Sequence, residues 1–306
     1  MNKNNPLEFG TVCAKEFKEN RTTAPHVLPI YATSSFAFES LQQGIDVFTK
    51  KEEGHIYGRF GNPTTDTVAR KIAALETHQL NIDAEAILFS SGMAAISTLM
   101  LATLQAGDKV LTPANIYGGT IELINKVLLP LRIEPVWADL NDLRQVEQLL
   151  QQDSTIKMIY FETPANPLLA CADMAAISEL AHQYECIAVV DNTFCTPYIQ
   201  QPLKFGIDFV VHSTTKYLNG HGNSVAGAVI GKDIAFMKSR LFQTMKLVGT
   251  NCNAWDAWLI YNGLKTLELR MERHSSNAMQ LAEYLEKHRA IAKVYYNGLP
   301  SNPDHL

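Results

Sequence analysis

Asp208-Phe209-Val210-Val211-His212-Ser213-Thr214-Thr215-Lys216 is the stretch that decides the fold. Its first half is a β-branched apolar run that reads as a buried strand, and its second half sets hydroxyls three and one residues ahead of a lysine. A lysine just past a buried strand can form a Schiff base with an aldehyde cofactor, while Ser213 and Thr215 can hold a phosphate. Upstream, Ala188-Val189-Val190 reads as another buried strand and ends on Asp191. A carboxylate there needs a partner, because an unpaired charge beside a dry core is costly. A protonated pyridine nitrogen is one such partner; capping of a helix through Asn192 and Thr193 is its rival. Lysine, hydroxyls and aspartate together are the three handles of pyridoxal 5'-phosphate.

Outward from these two strands, residues 84–231 alternate short apolar runs with helical stretches, the pattern of repeated βαβ units and a mostly parallel sheet. The expected strands are 86–89, 109–112, 134–137, 157–161, 187–190, 209–212 and 226–230, a seven-stranded doubly wound α/β domain over 61–253. Ser91 and Gly92 open a helix through Gln105, and Asp142 and Asp173 cap two others. Past Gly231 the apolar spacing of Trp258, Leu259, Leu264, Leu267, Leu269 and Met271 predicts one long helix over 254–286, leading into the start of a C-terminal domain (254–306). Residues 1–60 carry Pro25, Pro29 and Gly54 with few periodic signals, and read as an extended N-terminal arm.

Composition removes whole classes of function. The 306 residues carry a net charge of −5 with mixed signs, which offers nucleic acid no basic stripe, and no 18-residue apolar run spans a bilayer. The polar start at residues 1–5 lacks a signal-peptide core, so a cytoplasmic location is expected. Cys13, Cys171, Cys186, Cys195 and Cys252 form no C-x-x-C pair and no zinc spacing, so reduced thiols and no metal are expected. The sequon Asn20-Arg21-Thr22 is set aside for the same compartment reason.

Ligands of open α/β sheets sit at the carboxyl ends of the strands, and the remaining candidates fall there. Ser91-Gly92-Met93 opens a helix whose free N–H groups suit a phosphate, although the same residues also make an ordinary cap. Tyr117, beside Gly118 and Gly119, can stack on a planar ring or plug a core gap. The turn Glu162-Thr163-Pro164-Ala165-Asn166-Pro167 can present Asn166 to the cofactor's phenolic oxygen. Tyr57-Gly58-Arg59 lies outside the sheet pattern, and Arg59 can grip a phosphate through two hydrogen bonds or stay a surface arginine. His212 and His221 read as structural groups. No G-x-G-x-x-G follows the first strand, which argues against a nicotinamide dehydrogenase.

From about Phe9 to the last residue the chain resembles the Cys/Met-metabolism family of pyridoxal-phosphate enzymes: cystathionine γ-synthase, cystathionine γ-lyase, methionine γ-lyase and the O-acylhomoserine sulfhydrylases. The resemblance is carried by Tyr57-Gly58-Arg59, Gly61-Asn62-Pro63-Thr64, Ser91-Gly92-Met93-Ala94-Ala95, Tyr117-Gly118-Gly119-Thr120, the 162–167 turn, Asp191-Asn192-Thr193 and His212 to Tyr217. Gly263-Leu264-Lys265-Thr266-Leu267, running into Arg270-Met271-Glu272-Arg273-His274, adds to it. It implies the aspartate-aminotransferase-like fold (fold type I), with Lys216 as the Schiff-base lysine, Asp191 on the pyridine nitrogen and Tyr117 stacked on the ring. It also implies phosphate contacts from Gly92, Met93, Ser213 and Thr215, with Asn166 near the 3'-oxygen. Tyr57 and Arg59 are expected to reach the phosphate of a neighbouring subunit, in a homodimer or homotetramer with shared sites.

The implied activity is γ-elimination or γ-replacement on a small sulfur-containing or O-acylated amino acid, cystathionine γ-synthase- or γ-lyase-like. The alternatives are an O-acylhomoserine sulfhydrylase, a methionine γ-lyase, another pyridoxal-phosphate enzyme such as an aminotransferase, and a catalytically incomplete cofactor-binding fragment. Three positions depart from the pattern: Phe194 where tyrosine is frequent, Asn223 for a common aspartate, and Gly119 where many methionine γ-lyases carry cysteine. Family members also continue some tens of residues past Gly298-Leu299-Pro300, so the C-terminal domain is expected to be incomplete, without the arginine that binds the substrate α-carboxylate.

Overall fold

The computed structural model describes residues 7–15 and 25–305; the polar start and the Asn20 sequon lie outside them. Among the described residues, seven strands form one sheet: β1 (Glu85–Phe89), β2 (Lys109–Thr112), β3 (Glu134–Trp137), β4 (Ile156–Glu162), β5 (Ile187–Asp191), β6 (Phe209–His212) and β7 (Gly227–Gly231). Their order is β1-β7-β6-β5-β4-β2-β3, parallel throughout except that β7 runs antiparallel to both its neighbours. Every expected strand is present to within a residue or two at its ends.

Side chains alternate between two cores, as strand geometry requires. Ala188, Val190 and Val210 face one layer, while Val189, Phe209 and Val211 face the other. Each of these valines is fully buried and contributes about 1.5–3 kcal/mol. That parity puts Asp191 on the side of Val189 and His212 on the side of Val210. The two residues end neighbouring strands yet face opposite layers.

The first layer holds α1 (Phe9–Ala14), α3 (Pro63–Glu76), α6 (Leu143–Gln152), α7 (Met174–Gln183), α11 (Ala254–Leu264) and α12 (Leu267–Glu286). The second is built on α4 (Gly92–Thr103), with a π-helical turn at Met237–Leu241 and α10 (Phe242–Val248). The remaining helices are α2 (Leu41–Phe48), α5 (Gly118–Leu123), α8 (Thr196–Ile199) and the short α9 (Ile234–Phe236). The expected caps are in place: Ser91 accepts from Ala94 N at 3.0 Å, Asp142 from Gln145 N, and Asp173 from Ala175 N and Ala176 N. Each such cap is worth about 1 kcal/mol.

Two expectations need correction. The single helix over 254–286 is two helices, broken at Lys265 and Thr266. Arg270 supplies the reason: its guanidinium donates to Gly263 O at 2.8 Å and to Tyr217 O at 2.7 Å, so it satisfies a carbonyl at the end of α11 and ties the break to the loop after Lys216. Leu269, counted in the apolar stripe, is exposed. The arm also departs from a plainly extended segment, since α1 buries Phe9, Val12 and Cys13 against α3 and α12, and α2 follows further on.

Candidate active site

Five loops at the carboxyl side of the sheet converge on a cavity of about 250 Å³. Ser91, Gly92, Met93, Tyr117, Glu162, Asn166, Asp191, Thr193, Ser213, Thr215 and Lys216 all contribute to its wall. Eight of the ten expected site residues are therefore brought together by residues that lie up to 124 positions apart. Lys216 is exposed within a tight turn, in which its N–H donates to Ser213 O at 3.1 Å and its own carbonyl accepts from Gly220 N at 2.7 Å.

Asp191 is held rigidly. Its Oδ1 accepts from Thr193 N at 3.0 Å and from the Thr193 hydroxyl at 2.5 Å, and its Oδ2 accepts from the Tyr160 hydroxyl at 3.3 Å. Burial pushes its carboxyl pKa up, while the Thr193 hydrogen bonds oppose that by favouring the carboxylate. A positive ring nitrogen placed here would complete the compensation. The Thr193 hydroxyl in turn accepts from Ser213 N at 2.8 Å, so the aspartate strand and the lysine strand are stitched together at the cavity floor.

The phosphate end is equally specific. The N–H groups of Gly92 and Met93 open α4 and have no intrahelical acceptor, and the positive end of the helix dipole points the same way. A Cβ at Gly92 would lie 2.7 Å from Ser213 Cβ, so glycine is what lets the helix start and the Ser213 loop close into one cradle. The Thr215 hydroxyl lines the same wall, hydrogen-bonded to Ala226 O and N at 3.1 Å.

Glu162 was not singled out from sequence, although the reasoning applied to Asp191 reaches it: it too ends a largely buried, mostly apolar strand. Its Oε1 accepts from Tyr117 N at 2.8 Å and its Oε2 from Asn166 N at 3.2 Å, so one carboxylate places both loops. Burial first, and the Asp191 charge second, raise its pKa to about 7. Tyr117 itself is half exposed at the mouth, with its ring lying over Gly119.

Tyr57 and Arg59 stand apart. Arg59 lines a different cavity of about 490 Å³, which shares no wall residue with the first, and its guanidinium donates to Lys246 O at 2.5 Å. Its charge also sits 5.4 Å from the Tyr57 ring centroid and 5.1 Å from that of Phe60. Of the departures noted in the sequence, Phe194 lines the cofactor cavity, and Asn223 accepts from Asn219 Nδ2 at 3.0 Å in the turn beyond Lys216.

The cradle at Gly92, the strand-end aspartate and the lysine at one cavity fit pyridoxal 5'-phosphate, and with the mixed seven-stranded sheet they define a fold-type-I pyridoxal-phosphate enzyme. Residues 10–306 match the family described as Cys/Met metabolism PLP-dependent enzyme, and the chain belongs to it. Over 277 residues the chain is 43% identical to an L-methionine gamma-lyase of Fusobacterium nucleatum subsp. nucleatum, covering 90% of this chain and 68% of that one. An O-succinylhomoserine sulfhydrylase of Pseudomonas aeruginosa is 36% identical, with 97% of this chain and 72% of that one covered. A crystal structure of cystathionine gamma-lyase from Lactobacillus plantarum complexed with L-serine superposes with a TM-score of 0.88 at 36% identity, covering 97% of this chain and 74% of that one. A putative O-acetylhomoserine (thiol)-lyase from Campylobacter jejuni subsp. jejuni gives a TM-score of 0.88 at 31% identity, covers 98% and 80%, and carries N'-pyridoxyl-lysine-5'-monophosphate. The protein is a pyridoxal-phosphate-dependent trans-sulfuration enzyme acting in sulfur amino acid metabolism.

Proposed function

We propose that this enzyme works at the γ-carbon of a homoserine-, homocysteine- or cystathionine-type amino acid, in the manner of a cystathionine γ-synthase or γ-lyase. The observation that carries the reading is the convergence of Lys216, Tyr117 and Asp191 on one cavity. The bound cofactor supplies an electron sink that acidifies the substrate Cα–H. Asp191 presents its carboxylate to the ring nitrogen and keeps it protonated. Lys216, exposed at the wall, accepts the Cα proton and returns it further along the substrate. Tyr117, held at the mouth by Glu162, offers its hydroxyl to the departing γ-substituent. The α4 N–H groups, Ser213 and Thr215 would hold the cofactor's phosphate.

Gly119 supports the cystathionine reading. A Cβ there would lie 2.5 Å from Tyr117 Cε1, so a side chain at this position would push the ring aside. Methionine cleavage is the alternative, favoured by the 43% identity to an L-methionine gamma-lyase.

Sharing of sites is part of the same reading: Tyr57 and Arg59 serve the phosphate of a second subunit, in a homodimer or homotetramer. Their place outside their own chain's cofactor cavity supports it. A cytoplasmic setting agrees with five free cysteines. Among the described residues, no helix is long and apolar enough to cross a membrane.

Product analysis with cystathionine, methionine and O-acetylhomoserine, each with and without a thiol, tests the reaction. Cysteine with an α-keto acid from cystathionine, or a new thioether from O-acetylhomoserine plus thiol, is expected. Amino-group transfer with the γ-substituent retained would instead make the enzyme an aminotransferase.

A further inference from the structure

Beneath the cofactor cavity, on the opposite side of the sheet, lies a buried polar cluster that no step above uses. Glu76, the last residue of α3, and His212, the last of β6, are fully buried and joined through Oε1 and Nε2 at 2.5 Å. Asn192 Nδ2 donates to the same Glu76 oxygen at 3.2 Å and to Gln200 O at 2.9 Å. Gln200 Nε2 donates to Asn192 Oδ1 at 3.0 Å and to Thr163 O at 2.9 Å. Thr163, Asn192 and His212 are each the immediate chain neighbour of a cavity residue: Glu162, Asp191 and Ser213.

Stability alone is a poor account of this cluster. Glu76 Oε2 and His212 Nδ1 are buried without a hydrogen-bond partner, and buried polar pairs with unmet atoms are weaker stabilisers than apolar packing. What the cluster does achieve is to fix three strand ends at once, with α3 and the end of α8 as anchors. His212 is also among the groups that favour the carboxylate form of Asp191, behind the Thr193 hydrogen bonds and against the larger opposing effect of burial.

We propose that Glu76, acting with His212, Asn192 and Gln200, is a positioning residue for the cofactor face. It holds the backbone that carries Asp191 and Ser213, and so sets cofactor affinity without touching the cofactor. The proposal rests on the reading of the cavity as the cofactor site.

The test is a fluorescence titration of the cofactor-free full chain with pyridoxal phosphate, beside a urea unfolding curve for each variant. Glu76→Ala should weaken cofactor binding about tenfold, the scale of one lost hydrogen bond plus an orphaned partner, and Glu76→Gln should restore most of it. Ile72→Ala, a fully buried change in the same helix, should lose stability but keep wild-type affinity. Equal affinities for Glu76→Ala and Ile72→Ala, or losses that follow the urea midpoints, would overturn the proposal. If Glu76→Ala does not fold, Gln200→Ala carries the test: a roughly three- to fivefold loss is expected from its missing hydrogen bonds, and unchanged affinity overturns the idea. A wild-type chain that binds no pyridoxal phosphate would sink the cavity reading first, and the positioning role of Glu76 with it.

Discussion

The strand ends of the sheet and the Tyr57–Arg59 segment were both read as cofactor handles, and the fold treats them in opposite ways. Lys216, Asp191, Tyr117 and the start of α4 meet at one cavity within a single chain, where Glu162 accepts from Tyr117 N and Thr193 bonds both Asp191 and Ser213 N. Arg59 instead lines a separate cavity, with its charge shared among Lys246 O and two aromatic rings of its own chain. The difference teaches that a sheet can assemble the chemistry of one protomer, whereas a loop outside it has no such frame and its function depends on what it meets.

The largest expected effect lies on the sheet side. Lys216→Ala should lose the cofactor's covalent attachment, read by mass spectrometry after borohydride treatment, and turnover should drop ~10³-fold or more with the fold intact. A variant that still turns over at near wild-type rate would remove the central member of the cavity. Asp191→Ala should keep the covalent attachment while kcat falls about 10²–10³-fold, since it removes electrostatic support for the ring rather than the anchor. Parallel losses of attachment and activity would mean that Asp191 serves chiefly as a strand-end cap.

Mixing probes the other side of the comparison. Arg59→Ala and Lys216→Ala chains, each inactive alone, should recover about a quarter of wild-type activity on subunit exchange if sites are shared in a twofold assembly, because half the dimers are hybrid and one of their two sites is intact. Verified exchange without recovery would assign Arg59 to the contacts it makes in its own chain.

The smallest effect concerns pH. Glu162 has its pKa raised from 4.5 to about 7 by burial, so the folded state binds a proton there that the unfolded chain has already released. This contribution is fully present below pH ~4.5 and is lost as pH rises through about 7. The urea midpoint of cofactor-free protein should therefore fall between pH 5 and 7.5, and Glu162→Gln should flatten that slope. An identical slope in the variant would place the titration elsewhere, with Asp191, whose pKa is raised in the same direction, as the next group to replace.

The sequence by itself determined the sheet and most of the cavity. Buried parallel strands announce themselves as unbroken β-branched runs, and chemistry concentrates at their carboxyl ends, so Asp191 and Lys216 were legible from local order alone. Gly92 and Ser91 were legible for a related reason, since a helix start after a strand is a local pattern. Tertiary structure decided the rest. Glu162 ties Tyr117 to Asn166 across 49 residues, and Arg270 breaks the long helix by reaching back to Tyr217; neither partner lies within a sequence window. Glu76 ends α3, a helix that packs on β1 and β7, and only the tertiary path that brings its last residue to the ends of β5 and β6 gives its carboxylate His212 and Asn192 as partners. Backbone periodicity is written in neighbouring residues, but the partner of a buried charge is chosen by the path of the whole chain.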